Sequence, residues 1–176
     1  MQYVEQGETQ KLHLRNKCEK RKPWYVVTDR SNPDAFLMYM SWYGPKIILN
    51  RSSADCTNAI HRIYFKDKNI DPKSIALGIL SSIAQYHIEL KGRTYGGGVL
   101  KLEPGIANII WIPIIDKDVD RLFQVVNKLI IRRRDTLATR LIDNSISERY
   151  NIYSEMKEIR RELSEIRKKR MQKTKS

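Results

Sequence analysis

The sequence has few of the features that mark secreted, membrane-spanning or metal-binding proteins. Its two cysteines, Cys18 and Cys56, are too few for a disulfide framework and fit a reducing compartment. The closely spaced cysteine and histidine pairs of zinc sites are absent. No apolar run approaches the roughly 20 residues of a transmembrane helix, and the first eight residues lack the basic start and apolar stretch of a signal peptide. We therefore expect a cytoplasmic protein with no bound metal and no membrane partner.

Catalytic motifs are equally scarce. The sequence contains no Gly-x-Ser-x-Gly elbow, no histidine pair at metal spacing and no acidic cluster of the kind found in nucleases. The nearest nuclease-like fragment is Glu89-x-Lys91, a spacing that is common by chance at the ends of helices. We expect no catalytic residues in this chain.

Positive charge is what the sequence has in abundance. Its 33 lysines and arginines exceed its 20 aspartates and glutamates, which gives a net charge of +13. Such a surplus attracts polyanions and favours binding through counterion release from a phosphate backbone. Double-stranded DNA is therefore the expected partner, and a soluble basic protein is the alternative. Anionic membrane is less favoured, because no basic amphipathic helix carries an aromatic-rich insertion face.

The hydrophobic pattern predicts an α+β fold, with a small, twisted and mostly antiparallel sheet and a packed helix, followed by a carboxy-terminal helical hairpin or long helices. Runs rich in β-branched and aromatic residues predict the strands. They lie at residues 24–28, 35–40, 46–50, 59–65, 99–102 and 109–112.

Capping residues and apolar spacing predict the helices. Asp71-Pro72 begins one, as N-cap and first-turn residue, and Lys91-Gly92 ends it. From Asp116 onward apolar residues repeat at threes and fours, and after Asn144-Ser145 a second helix carries a stripe close to a heptad. This stripe suits a helical hairpin or a helix-mediated oligomer. We interpret residues 167–170 as a frayed basic tail.

Differences in charge and hydrophobic pattern divide the chain into three predicted regions. Residues 1–22 are a basic amino-terminal loop or arm, residues 23–115 a DNA target-recognition domain, and residues 116–176 a basic helical extension.

The most distinctive candidate DNA contact is a turn of three glycines. Three consecutive glycines cost conformational entropy, so a fold keeps them for unusual dihedrals or close backbone approach. Arg93 and Lys101 flank the turn, and Tyr95 is placed to stack on a base or pack on a sugar. The alternative is a tight hairpin with no ligand. The candidates here are Arg93, Tyr95, Gly96, Gly97, Gly98 and Lys101.

Two further segments combine basic, amide and aromatic side chains that suit phosphates or base edges. In the first, Trp24 either stacks on a base or anchors the core. The second is a connection between strands, for which a capped loop without a ligand is the alternative. The candidates are Arg21, Lys22, Trp24, Tyr25, Asn50, Arg51, Asn58, His61 and Arg62.

Five segments in this order resemble the carboxy-terminal specificity region of bacterial restriction-modification adenine methyltransferases. They begin with Tyr3-Val4-Glu5-x-Gly7-Glu8 and end with Gly92-Arg93-Thr94-Tyr95-Gly96-Gly97-Gly98-Val99-Leu100-Lys101-Leu102-Glu103-Pro104. Between them lie Lys17-Cys18-x-x-Arg21-Lys22-Pro23-Trp24-Tyr25, Pro33-Asp34-Ala35-Phe36-Leu37 and Cys56-Thr57-Asn58-Ala59-Ile60-His61-Arg62.

The resemblance implies a two-part enzyme in which an amino-terminal domain binds S-adenosylmethionine and holds a flipped adenine with an Asn-Pro-Pro-Tyr motif. That motif is missing here, and so is a glycine-rich cofactor loop after an early strand. We therefore expect no cofactor on this chain alone, S-adenosylmethionine on a catalytic domain or subunit, and a specificity module as its role. The alternatives are a subunit of a split active methyltransferase or restriction enzyme, a small nuclease, and a helical assembly module.

Overall fold

The structure, a computed structural model, describes residues 2–26, 31–57 and 59–172. The chain divides into two compact units, residues 1–32 and 33–176. The predicted α+β class, with antiparallel strands and long carboxy-terminal helices, is confirmed.

The first unit is built from short helices where we expected a loop or arm. Helix α1 spans Gln2–Thr9, a 3-10 turn spans Leu12–Leu14, and α2 spans Asn16–Glu19. The predicted strand at 24–28 is wrong for residues 24–26, which form a turn with Val26 N bonded to Pro23 O at 3.1 Å. Residues 27 and 28 lie outside the described residues.

The strands of the second unit form two antiparallel sheets of three strands rather than one sheet. They are β1 Ala35–Met38, β2 Met40–Ser41, β3 Ile47–Leu49, β4 Ile60–Ile63, β5 Arg93–Tyr95 and β6 Val99–Lys101. The strand orders are β3-β1-β4 and β2-β6-β5. The predicted strand 35–40 divides at Tyr39, whose carbonyl accepts a hydrogen bond from Leu102 N at 2.9 Å. The chain passes from one sheet to the other at this residue.

The predicted strand at 109–112 is wrong. Its backbone is irregular, and Trp111 N donates to Nδ1 of His87 at 3.1 Å instead of to a neighbouring strand. Ile110 and Ile112 still pack against the buried core, which explains the apolar signal.

The predicted central helix begins and ends as expected but is interrupted. Helix α3 spans Pro72–Gly78 and α4 spans Ser82–Lys91. Asp71 accepts from Lys73 N at 2.8 Å as the N-cap of α3. Ser81 lies between the two helices in an extended conformation, and its hydroxyl accepts from Ala84 N at 3.2 Å. This second cap starts a new helix in the middle of the apolar pattern.

The carboxy-terminal region holds three long helices within the described residues, not two. After the short α5, Pro104–Ala107, come α6 Val119–Ile131, α7 Asp135–Tyr150 and α8 Tyr153–Gln172. The expected break at Asn144-Ser145 is wrong because α7 continues through it. The helix ends instead at Tyr150, and Asn151, which caps it, has a left-handed φ of 53°.

Two hydrophobic clusters form the core of the second unit. One joins α3, α6, α7 and α8 around Leu77, Ile142 and Met156. The other joins the sheets to α4 through Ile88 and Leu100. Leu80, in the α3–α4 connection, packs against both clusters and makes them continuous.

A buried ion cluster fastens α8 to α4, and we call Glu89, Arg167 and Arg170 the Glu89 cluster. Glu89 accepts from Arg170 at 2.7 and 2.9 Å and from Arg167 at 3.0 Å. Burial lowers the pKa of the Arg167 guanidinium, an effect opposed by its bond to Glu89. The expectation of a frayed tail at residues 167–170 is therefore wrong, because Arg170 is buried and lies within α8.

Replacing Glu89 tests this cluster. Glu89→Gln leaves two largely buried guanidiniums without their counter-charge, so we expect the free energy of unfolding to fall by about 3–5 kcal/mol. Urea denaturation followed by circular dichroism measures the loss. The control, Glu158→Gln, removes an exposed carboxylate of α8 and should cost less than about 1 kcal/mol. A similar small loss in both variants would contradict a structural role for the cluster.

Candidate nucleic-acid interface

The three glycines connect β5 to β6, and we call Arg93–Lys101 the glycine hairpin. Gly97 and Gly98 have φ values of 78° and 74°, which side chains adopt only with strain. Gly96 has ordinary dihedrals, and a Cβ placed on it would have no neighbour within 4 Å. The tip of the hairpin is therefore open, and the two positions after it are the ones that require glycine.

The Glu89 cluster supports the hairpin from beneath. The buried Gly98 accepts a hydrogen bond at its carbonyl oxygen from Nη1 of Arg170. Nη2 of the same guanidinium donates to the carbonyl of Trp42 at 2.7 Å. One arginine of α8 therefore fixes the hairpin turn and the turn that follows β2.

The hairpin presents Arg93 and Tyr95 to solvent. The side chain of Arg93 is 66% exposed, and its guanidinium lies 3.4 Å from Glu103. Lys101 is only 16% exposed, and its ammonium donates to Tyr95 Oη at 3.1 Å. Hydrogen bonds to Tyr95 and then to Tyr39 raise the pKa of Lys101, so it remains a cation. The hydrogen bond from Lys101 is placed to hold the Tyr95 side chain in one orientation.

The structure brings His61 to the same region. Nε2 of His61 lies 2.7 Å from the carbonyl oxygen of Leu102, which directly follows β6. Tyr39 lies between His61 and Lys101. Its ring centroid is 4.9 Å from that of His61 and 5.2 Å from the Lys101 ammonium. His61, Lys101, Tyr95 and Arg93 thus belong to one region, with Tyr39 between His61 and Lys101.

In the loop before β4, polar side chains mainly hold the backbone. Nδ2 of Asn50 donates to the carbonyls of Pro33 and Ala54, both at 2.8 Å, and its Oδ1 accepts from Ala54 N at 3.1 Å. Arg62 donates to Asp55 at 2.6 Å, which raises the pKa of its guanidinium, and to Cys56 O at 2.8 Å. Arg51 is exposed, and Asn58 lies outside the described residues.

The remaining candidates belong to the first unit. Nε1 of Trp24 donates to Glu8 at 3.1 Å, and the indole packs so closely on Gly7 that a Cβ there would lie 2.5 Å from it. Trp24 is therefore an anchor of this unit. Lys22 and Tyr25 are exposed, and Arg21 is half-buried.

Comparison with known proteins assigns the chain to a family. Residues 1–147 match the family model described as Type II methyltransferase M.Eco57I, C-terminal domain. The chain belongs to this family. The resemblance to restriction-modification methyltransferases is thereby confirmed at the level of their carboxy-terminal region.

A curated protein similar to this chain is the Type II methyltransferase M.AccI of Acinetobacter calcoaceticus. It is 22% identical over 161 residues, which cover 85% of this chain and 30% of the relative. The chain thus spans less than a third of the length of that protein. No solved structure matches this chain.

Within the described residues, no three histidine, cysteine, aspartate or glutamate side chains are grouped so as to hold a metal ion. No helix in that part of the chain is both long and apolar enough to cross a bilayer.

Sequence reasoning missed the two residues that organise the site, Tyr39 and Arg170. Tyr39 gives no local signal, because it lies inside a continuous strand pattern. Arg170 did give a signal, because it continues the seven-residue spacing of Met156 and Leu163. In the structure all three residues are buried. A charged residue on a buried helical stripe indicates a buried partner.

The glycine requirement in the hairpin can be tested by alanine substitution. Gly97→Ala places a side chain in the left-handed region, so we expect the unfolding free energy to fall by about 1–2 kcal/mol. Gly96→Ala is the matched control and should be neutral or stabilising by up to about 1 kcal/mol. Thermal and urea denaturation measure both variants. Equal losses in the two variants would contradict a left-handed backbone at Gly97 alone of these two positions.

Proposed function

We propose that the chain is the DNA-recognition module of an adenine-specific DNA methyltransferase, and that methyl transfer belongs to a separate catalytic domain or subunit. The observation that carries the proposal is the glycine hairpin. It exposes Arg93 and Tyr95 beside Gly96, where no side chain obstructs the backbone. The net charge of +13 adds a long-range attraction to DNA.

The proposed contacts divide into two kinds. Guanidinium groups such as those of Arg93 and Arg51 neutralise phosphates and set the position of the duplex. Tyr95, held by Lys101, packs on a sugar or on a base edge, and the open Gly96 lets the backbone approach closely. Asn50, Arg62 and His61 act indirectly in this proposal. Asn50 and Arg62 maintain the loop before β4, and His61 connects β4 to Leu102, which directly follows the hairpin.

The described residues do not fit an S-adenosylmethionine site of the kind that the resemblance implies. Strand pairing in both sheets is antiparallel, and the glycine turn joins two strands instead of leading from a strand into a long helix. The sequence also lacks the Asn-Pro-Pro-Tyr motif. We therefore assign cofactor binding and adenine flipping to the catalytic domain or subunit.

Arg93→Ala tests the DNA contact. We expect binding of duplex DNA to weaken by about 1–3 kcal/mol, since an exposed guanidinium of the proposed interface is lost. We also expect the slope of log K against log salt to become shallower by about 0.9 for one lost phosphate contact. Fluorescence anisotropy with a labelled duplex, titrated at several salt concentrations, measures both quantities.

The control for this experiment is Lys157→Ala, which removes one exposed charge about 20 Å along α8 from Arg170. It should change duplex affinity by much less than Arg93→Ala does. Equal effects would mean that net charge alone attracts DNA, and the hairpin would then have no special role.

Cofactor binding by the chain alone can be measured directly. We expect no retention of labelled S-adenosylmethionine by this chain, and methylation of DNA only after a candidate catalytic subunit is added. Equilibrium dialysis and transfer of label to DNA are the two measurements. Stoichiometric retention by the isolated chain would overturn the division of labour proposed above.

A further inference from the structure

The second unit, residues 33–176, contains a groove whose lining does not include the glycine hairpin. One wall is the segment 38–46, and the other is formed by α7, α8 and the turn between α6 and α7. Its volume is about 1280 Å³. Small-molecule pockets are usually about 300–1,000 Å³, so the size favours an extended ligand.

The groove is strongly basic. Seven lysines and arginines line it, against two carboxylates, Asp135 and Asp143. Both carboxylates are already neutralised, because Asp135 pairs with Lys46, and the buried Asp143 accepts from Arg160 at 2.7 Å. Arg167 and Lys168 are likewise paired, with Glu89 and Glu165. The remaining cations give the groove a surplus of positive charge that attracts an anionic ligand.

Three of these cations are available to such a ligand. Arg133, Arg134 and Arg140 are exposed, and none of them forms an ion pair with any residue that the structure describes. Arg134 and Arg140 flank the first turns of α7. Their guanidiniums suit phosphate groups, which accept paired hydrogen bonds from this planar donor.

The opposite wall carries exposed aromatic side chains. Trp42 and Tyr43 follow β2 in a turn that Gly44 completes with a φ of 100°. Tyr43 is 75% exposed, and its ring meets no other aromatic ring among the described residues. Single-strand-binding proteins combine exposed rings, on which unpaired bases stack, with a positively charged groove that follows the backbone. Bases inside a duplex have no free face to offer.

We propose that this groove binds a single-stranded segment of nucleic acid, with phosphates at Arg134 and Arg140 and a base on Tyr43. An acidic peptide would use the arginines but gains nothing from the aromatic wall. The proposal does not rest on the duplex contact at the hairpin. The two surfaces adjoin, because Arg170 bonds to the carbonyls of both Trp42 and Gly98.

The test compares Tyr43→Ala and the double variant R134A/R140A with the unaltered chain. Neither change should harm the fold. Tyr43 is exposed, a cation at the start of a helix opposes the helix dipole, and alanine is the best helix former. Anisotropy of a fluorescein-labelled oligothymidine reports binding. We expect Tyr43→Ala to weaken it about fivefold or more, and R134A/R140A to make the salt slope shallower by about 1.4.

The charge-matched control is K157A/R161A, two exposed positions of α8 outside the groove, for which oligothymidine binding should change within about twofold. Arg93→Ala should also leave it within about twofold, so failure of the groove and failure of the hairpin are distinguishable. Unchanged binding in Tyr43→Ala, equal losses in groove and control variants, or equal competition by polyglutamate would overturn the proposal. So would a groove variant that loses duplex and single-strand binding alike.

Discussion

The carboxylate of Glu89, enclosed by two guanidiniums of α8, is the constraint on which the arrangement of the second unit depends. A buried ion pair contributes little net stability compared with apolar packing, but its directional hydrogen bonds allow few alternative positions. Arg170 uses its remaining donors on the carbonyls of Gly98 and Trp42. The side chain of Arg170 thus fixes the positions of α4, the glycine hairpin and the turn after β2 relative to one another. At the other end of α4, the buried Asp143 accepts from Ser82 at 2.7 and 2.8 Å and from Arg160 at 2.7 Å, so α4 is held at both ends.

The parts of the fold that could be predicted from sequence are those with a local cause. Asp71 and Pro72 define a helix start by themselves, and short runs rich in β-branched and aromatic residues indicate most of the strands. The parts that failed have a tertiary cause. The strand pattern at 35–40 does not show that Leu102 pairs with Tyr39 and separates two sheets. The polar pair at Asn144-Ser145 suggested a loop, yet Asn144 accepts from Arg160 at 3.2 Å and the helix continues.

The candidate site shows the same difference between features with a local cause and features with a tertiary cause. The need for glycine in the turn is a local backbone requirement, and Gly97 and Gly98 have the positive φ values that explain it. Polar residues such as Asn50 and Arg62 suit DNA and loop stabilisation equally well in sequence, because both roles use the same donors. Only the structure shows that their hydrogen-bonding capacity is taken up by the loop. The basic groove could not be predicted either, since its aromatic and arginine walls are far apart in the chain.

The position of Arg170 along the chain has a practical consequence for work on this family. The segment shared with the M.Eco57I family ends at residue 147, whereas the guanidinium that supports the glycine turn comes from the last turns of α8. A fragment trimmed to the shared segment would leave Glu89 buried without either arginine and the Gly98 carbonyl without its donor. Expression boundaries for such domains are therefore better chosen from the helix that closes the fold than from the limits of homology.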